Sequence, residues 1–436
     1  MLRLSGRLGK AVVTAVARTT NTKVDLPSQK PSLLSPFSVR FYGVNGPDAD
    51  PVAVQMINYA LGHARSQKSD ESYAQGLLVL EQCLSANLRD GEDTASENSR
   101  AMVLLAMSTL LSERGNLDEA IEKLKRIQDF THSSLGVRVA AMEGLVGLHL
   151  EMGQDDTSSV LADKCLQLFR RNSEEIGCGF DSKILEARAT AVKGLVELVV
   201  GNLESAKLCF GGSQGDKGCY GNVALSYGEF LHAMGNFSLA KDLYQKVVQK
   251  MSETKDFADP LALAACNMVS EEVLLGATCA LGQLEAHSGN FGDAEEILTR
   301  ALTKAEERFG SHHPKVGVVL ICIALMFRHK AKQERSSSLL IQEGLYRRAI
   351  DMLKVPSLET EDAEAKVDRR DIMAFARGGY AETLCVQQNR KGQGERMKSW
   401  AENAWRNRRL SLAEALEISE PYSKVPVIDT RISRVL

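Results

Sequence analysis

Three stretches of the chain place a second glycine seven positions after a first, and an alanine five positions after that. They are Gly194–Gly201–Ala206, Gly228–Gly235–Ala240 and Gly282–Gly289–Ala294. A fourth, Ser108–Gly115–Ala120, keeps the spacing with a small hydroxyl in the first slot, and the local words GNLDEA, GNLESA, GNFSLA and GNFGDA repeat with it. Small residues at fixed offsets are what two helices need when they cross closely and are joined by a tight turn. One such hairpin cannot bury its own apolar face, so hairpins of this kind stack into a solenoid.

The steps between turn glycines are uneven: 38 from Gly115 to Gly153, then 48 to Gly201, 34 to Gly235 and 54 to Gly289. The array is therefore irregular, with insertions at 172–182 and 253–273. Helical pattern extends it to the pairs 52–67 with 71–87, 98–113 with 117–129, 137–152 with 157–171, and 183–200 with 203–211. Three further pairs are 220–234 with 237–252, 261–288 with 291–308, and a helix from His312 paired with 337–354. A charged linker (355–370), a C-terminal helix pair (371–417) and an extended tail (418–436) follow. Only ten prolines and six per cent aromatics fit an all-helical chain.

The first 42 residues have a different character. Arg3, Arg7, Lys10 and Arg18 fall on one side of a helix, with Leu4, Leu8, Val12, Ala15 and Val16 on the other. A short, basic, acid-poor amphipathic start reads as a mitochondrial targeting presequence over 1–42, with the array beginning at 43 and running to 354. The location expected is the mitochondrial matrix; the alternative is the plastid stroma. Removing the segment takes away seven bases and one acid, so the 53 bases and 56 acids of the full chain become 46 and 55, a net of −9. A net acidic chain disfavours nucleic acid as partner.

No run approaches the roughly 18 apolar residues that cross a bilayer. The nine cysteines form no CxxC pair, and no GxSxG, HExxH or GxxxxGK[ST] occurs. His312–His313 reads as a helix start before Pro314 rather than as a metal site. These observations predict no enzyme activity, no metal, no cofactor and no small-molecule substrate.

The glycine–glycine–alanine spacing resembles the tetratricopeptide repeat, whose period equals the 34-residue step from Gly201 to Gly235. The segment Ala294–Ala331, with its Gly310-x-x-His313-Pro314 element, is similar to the longer kinesin-light-chain type of repeat. The resemblance implies an all-α, right-handed superhelical solenoid of stacked antiparallel helix pairs. In it Gly194, Gly228 and Gly282, the turn residues Gly115, Gly201, Gly235 and Gly289, and Ala120, Ala206, Ala240 and Ala294 are packing positions. It also implies a non-catalytic protein-binding scaffold or adaptor. Combined with the presequence, this becomes support for assembly or maintenance of an organellar complex; the alternative is an organellar RNA-binding helical-repeat protein.

By register, the first helices of the hairpins present Arg188, Asn222, Glu229, His232 and Gln283 to a concave groove, the expected partner site. In the hairpin at 98–129 the same face offers Met102, Leu105 and Thr109, which lack the cations and amides that clamp a carboxylate. A second contact is expected from the basic segment holding both tryptophans, through Arg396, Lys398, Trp400, Trp405, Arg408 and Arg409; the rival reading makes this helix a cap for the solenoid end.

Overall fold

Gly115, Gly201, Gly235 and Gly289 have φ of 81°, 88°, 75° and 80°, the left-handed region that glycine enters at no steric cost. After each, an asparagine N–H reaches back to a carbonyl five residues earlier: Asn116 to Leu111, Asn202 to Glu197, Asn236 to Leu231 and Asn290 to Glu285. That bond closes the first helix. The carbonyl of the same asparagine then receives the N–H of Ala120, Ala206, Ala240 or Ala294 and opens the second.

A Cβ at Gly194 would lie 2.6 Å from Phe210, one at Gly228 2.7 Å from Tyr244, and one at Gly282 2.6 Å from Leu298. Each large residue stands four positions after the repeat alanine, so the glycine of one helix receives the ring or branched chain of the other. Leu124 holds the same place after Ala120, and all four alanines are fully buried.

The computed structural model describes residues 48–86, 93–176, 180–211, 219, 221–253, 263–355, 369–417 and 424–436, all within one compact unit, Val39–Leu436. The presequence reading of 1–42 lies outside the described residues, as does most of the 355–370 linker. Among the described residues eight hairpins follow one another. They are α1 (Pro51–Gln67) with α2 (Asp70–Ala86), α3 (Thr94–Glu113) with α4 (Leu117–Ile127), and α5 (Leu135–Glu151) with α6 (Asp155–Ile176). Next come α7 (Phe180–Val200) with α8 (Leu203–Gly211), α9 (Gly221–Ala233) with α10 (Phe237–Glu253), and α11 (Ser270–His287) with α12 (Phe291–Phe309). The series ends with α13 (Pro314–Glu334) and α14 (Leu339–Met352), then α15 (Arg370–Cys385) and α16 (Lys391–Ala404). The fold is all-α. From α1 to α13 each first helix touches the first helix of the next hairpin, so these helices form a continuous inner wall.

Two non-helical segments lie against that wall. Residues 263–268, ending in a 3-10 turn at Cys266–Met268, run along α3 and α5 before α11 begins. Cys266 N–H donates to Thr109 Oγ1 at 3.0 Å, and Asn267 Nδ2 donates to Glu151 at 3.2 Å. Gly147 makes room for Asn267, whose side-chain oxygen lies 2.2 Å from where a Cβ would stand. After α16 and the short α17 (Leu412–Leu416), residues 424–436 fold into an antiparallel pair, β1 (Ile428–Asp429) with β2 (Arg434–Val435). The described part of the tail expected to be extended, 424–436, is thus a hairpin, and Val427, Ile428, Ile432, Val435 and Leu436 are all buried.

Candidate functional site

The sequence places a partner groove on the inner wall at α7, α9 and α11, and the 424–436 hairpin lies against α9, α11, α13 and α15. Gln283 on α11 takes Ile428 like a neighbouring strand would: its Oε1 accepts the Ile428 N–H at 2.8 Å and its Nε2 donates to the Ile428 carbonyl at 2.9 Å. Lys315, in the first turn of α13, donates to the carbonyl of Thr430 at 3.0 Å and to that of Arg431. Main-chain groups that a strand edge would leave unpaired are so satisfied by side chains of the wall.

Arg431, at the turn of the hairpin, is wholly enclosed. Its guanidinium donates to Asn222, Ser226 and Glu229 on α9 and to Asp429 at 2.8 Å in its own hairpin. Gly276 on α11 leaves the space its stem occupies, since a Cβ there would lie 3.3 Å from the Arg431 Cγ. Two carboxylates thus share one cation. Burial pushes Glu229 well above the ordinary carboxyl value against the pull of Arg431, and Asp429 adds to the push. Arg434 spans a second acidic site, with Asp371 on α15 at 2.7 Å and Asp155 on α6 at 2.8 Å.

Of the five groove residues named from register, three therefore hold the hairpin: Asn222, Glu229 and Gln283. Arg188 pairs instead with Glu143 and donates to the Leu263 carbonyl at 2.6 Å, so it holds the 263–268 segment. His232 Nε2 meets His287 Nδ1 at 2.9 Å, and the His287 ring lies 5.0 Å from that of His329. This row joins α9, α11 and α13. Burial lowers the pKa of His287 to about 4 and those of His232 and His329 well below the usual imidazole value.

The segment with both tryptophans divides. The Arg377 guanidinium lies over the Trp400 ring, 3.9 Å from the ring centroid, and Trp405 Nε1 donates to the Leu410 carbonyl at 2.7 Å. Arg409 donates to the Val425 carbonyl at 2.6 Å and to that of Leu436, fastening the hairpin. Arg408 reaches Asp156 at 3.5 Å. Arg396 and Lys398 stand exposed on α16. Sequence reasoning missed Lys315, Arg431 and Arg434, whose roles come from contacts with residues far away in the chain.

Further contacts tie distant hairpins. Glu113, at the end of α3, receives Arg65 of α1 at 2.7 Å and Arg308 of α12 at 2.9 Å. His313 caps α13 through the Lys315 N–H, and its Nε2 meets the Glu113 carbonyl at 2.9 Å. Glu151 binds Arg369 at 2.8 Å. Burial would raise the Glu151 carboxyl, but Lys315 and Arg369 bring it down to about 2. Among the described residues the cysteines are free thiols, no group of His, Cys, Asp and Glu is disposed to hold a metal, and no helix is long and apolar enough to cross a membrane.

These hairpins define an all-α protein of stacked helical repeats. Residues 274–315, which span α11, α12 and the Gly310–Pro314 link, match the family described as tetratricopeptide repeat. Among solved structures, the chain is similar to BtubC (BKLC) from P. vanneervenii, at 11% identity over 57% of this chain and 90% of that one, with a TM-score of 0.39. It is also similar to yeast Tom70, at 12% identity over 83% of this chain and 94% of that one, with a TM-score of 0.27. Neither likeness bears on function. No curated protein matches the chain.

Proposed function

We propose that the chain is a non-catalytic protein-binding scaffold of the mitochondrial matrix that supports assembly or maintenance of an organellar complex. One observation carries the scaffold reading: the inner wall of the repeat array already grips polypeptide, through Gln283 and Lys315 on main-chain groups and through Asn222 and Glu229 on Arg431. Because that polypeptide is the chain's own, the filled wall stiffens the array and leaves its outer faces to present partners in fixed geometry. A partner entering the groove itself must first displace residues 424–436. The matrix reading rests on the basic amphipathic segment 1–42.

Affinity purification of the chain from mitochondria, with mass spectrometry and with crosslinking to RNA at graded salt, tests this. Specific co-purifying proteins are expected. Salt-sensitive crosslinks to organellar RNA, with no stoichiometric protein, would sink the scaffold reading. Import followed by amino-terminal sequencing tests the address, with Gly43 as the expected new terminus.

A further inference from the structure

A concave site on the outer surface has a chemistry of its own. Between α4, α5 and α6 lies a cleft of about 780 Å³. Its floor is Met142 and Leu145 of α5 with Leu161 and Leu168 of α6, and its rim is Lys125, Arg138, Lys164 and Arg171. Arg138, Met142 and Leu145 fall at i, i+4 and i+7, and Leu161, Lys164, Leu168 and Arg171 also share one helix face. No carboxylate lines the cleft. Glu97 acts on Arg138 from a distance, but its own oxygen accepts the His132 N–H at 2.6 Å.

Two buried donors, Arg138 Nε and Gln128 Nε2, meet no acceptor among the described residues. Neither atom has surface open to the cleft, so an occupant meets the side-chain cations of the rim instead. We propose that this cleft docks an acidic amphipathic helix of a partner protein, its apolar face on the Met142–Leu168 floor and its carboxylates on the four cations. Apolar residues at i, i+3, i+4 and i+7 are what such a groove reads. A phosphate backbone would satisfy the rim and leave the floor unused. The assignment rests on the scaffold reading and gives it a site and a partner chemistry.

The test uses the full chain and a fluorescein-labelled peptide of about 18 residues, with leucines at helical spacing and glutamates on the flanks. Saturable binding that weakens with salt is expected. Lys125→Glu with Lys164→Glu, both exposed and so compatible with folding, weakens it about tenfold or more, as charge reversal at a steering site does. Lys207→Glu with Arg300→Glu, exposed on α8 and α12, leaves it unchanged. Absence of saturable binding, equal loss in both pairs, or tighter binding of a uridine-rich RNA of equal length would overturn the assignment. If the Lys125/Lys164 pair still retrieves the same mitochondrial proteins, the cleft is wrong and the scaffold stands. If neither form retrieves any, the scaffold reading itself falls.

Discussion

Arg431 shows what a single side chain can hold together. Its cation is enclosed with Glu229 and Asp429, and removing one partner from such a group leaves charge buried and unpaired, at about 3–5 kcal/mol. Arg431→Ala is therefore expected to lower the urea-unfolding free energy by about that amount. Arg431→Met combined with Glu229→Gln and Asp429→Asn should cost clearly less, because no charge is then stranded. Equal losses in the two forms would show that shape, not charge, holds the hairpin. Asn222 and Glu229 were legible as inward-facing residues because helical register alone places them. Their occupant was not legible: Arg431 lies more than two hundred positions away, on a segment too short to show a period.

At the scale of elements, the first helices are joined by histidines as well as by small residues. Folded His287 stays neutral down to about 4, whereas an unfolded histidine takes a proton near 6.5. Between those values the unfolded chain binds more protons, so this contribution to stability shrinks as pH falls from about 6.5 toward 4. His232 and His329 act in the same direction. Glu272, raised to about 7 by burial against the pull of Lys315, acts in the opposite one. The clean reading is therefore a comparison: His287→Gln should lose less of its melting midpoint between pH 7 and pH 5 than the unaltered chain does. Equal pH dependence in both would remove the histidine row from the account. The hairpins themselves were readable because glycine, turn and alanine recur at fixed offsets. The 263–268 segment was visible only as an irregular step, since its contacts with Thr109 and Glu151 are long-range and leave no local pattern.

For the array as a whole, stacked repeats are usually held by nearest neighbours alone, and their stability is close to a sum over units. This array adds ties that skip hairpins: Glu113 to Arg308, Glu151 to Lys315 and Arg369, and the 424–436 hairpin to α6, α9, α11, α13 and α15. Unfolding of the region 48–436 should accordingly follow one transition by fluorescence and circular dichroism alike. Deleting 424–436 should separate the two probes, lower the midpoint and speed amide exchange in α9, α11 and α13. A deletion form that still melts in one step at the original midpoint would make the hairpin a passenger.

The position of that hairpin in the chain has a kinetic corollary. Residues 424–436 follow every helix they contact, so a ribosome delivers them after the wall they fill has already emerged. From the end of α11 to the hairpin, synthesis at about 5–20 residues per second takes on the order of ten seconds or more. Throughout that interval Asn222, Glu229 and Gln283 face an open channel. The nascent array is thus, for a defined time, a groove with no occupant, and any protein that uses it meets no competitor until 424–436 are made.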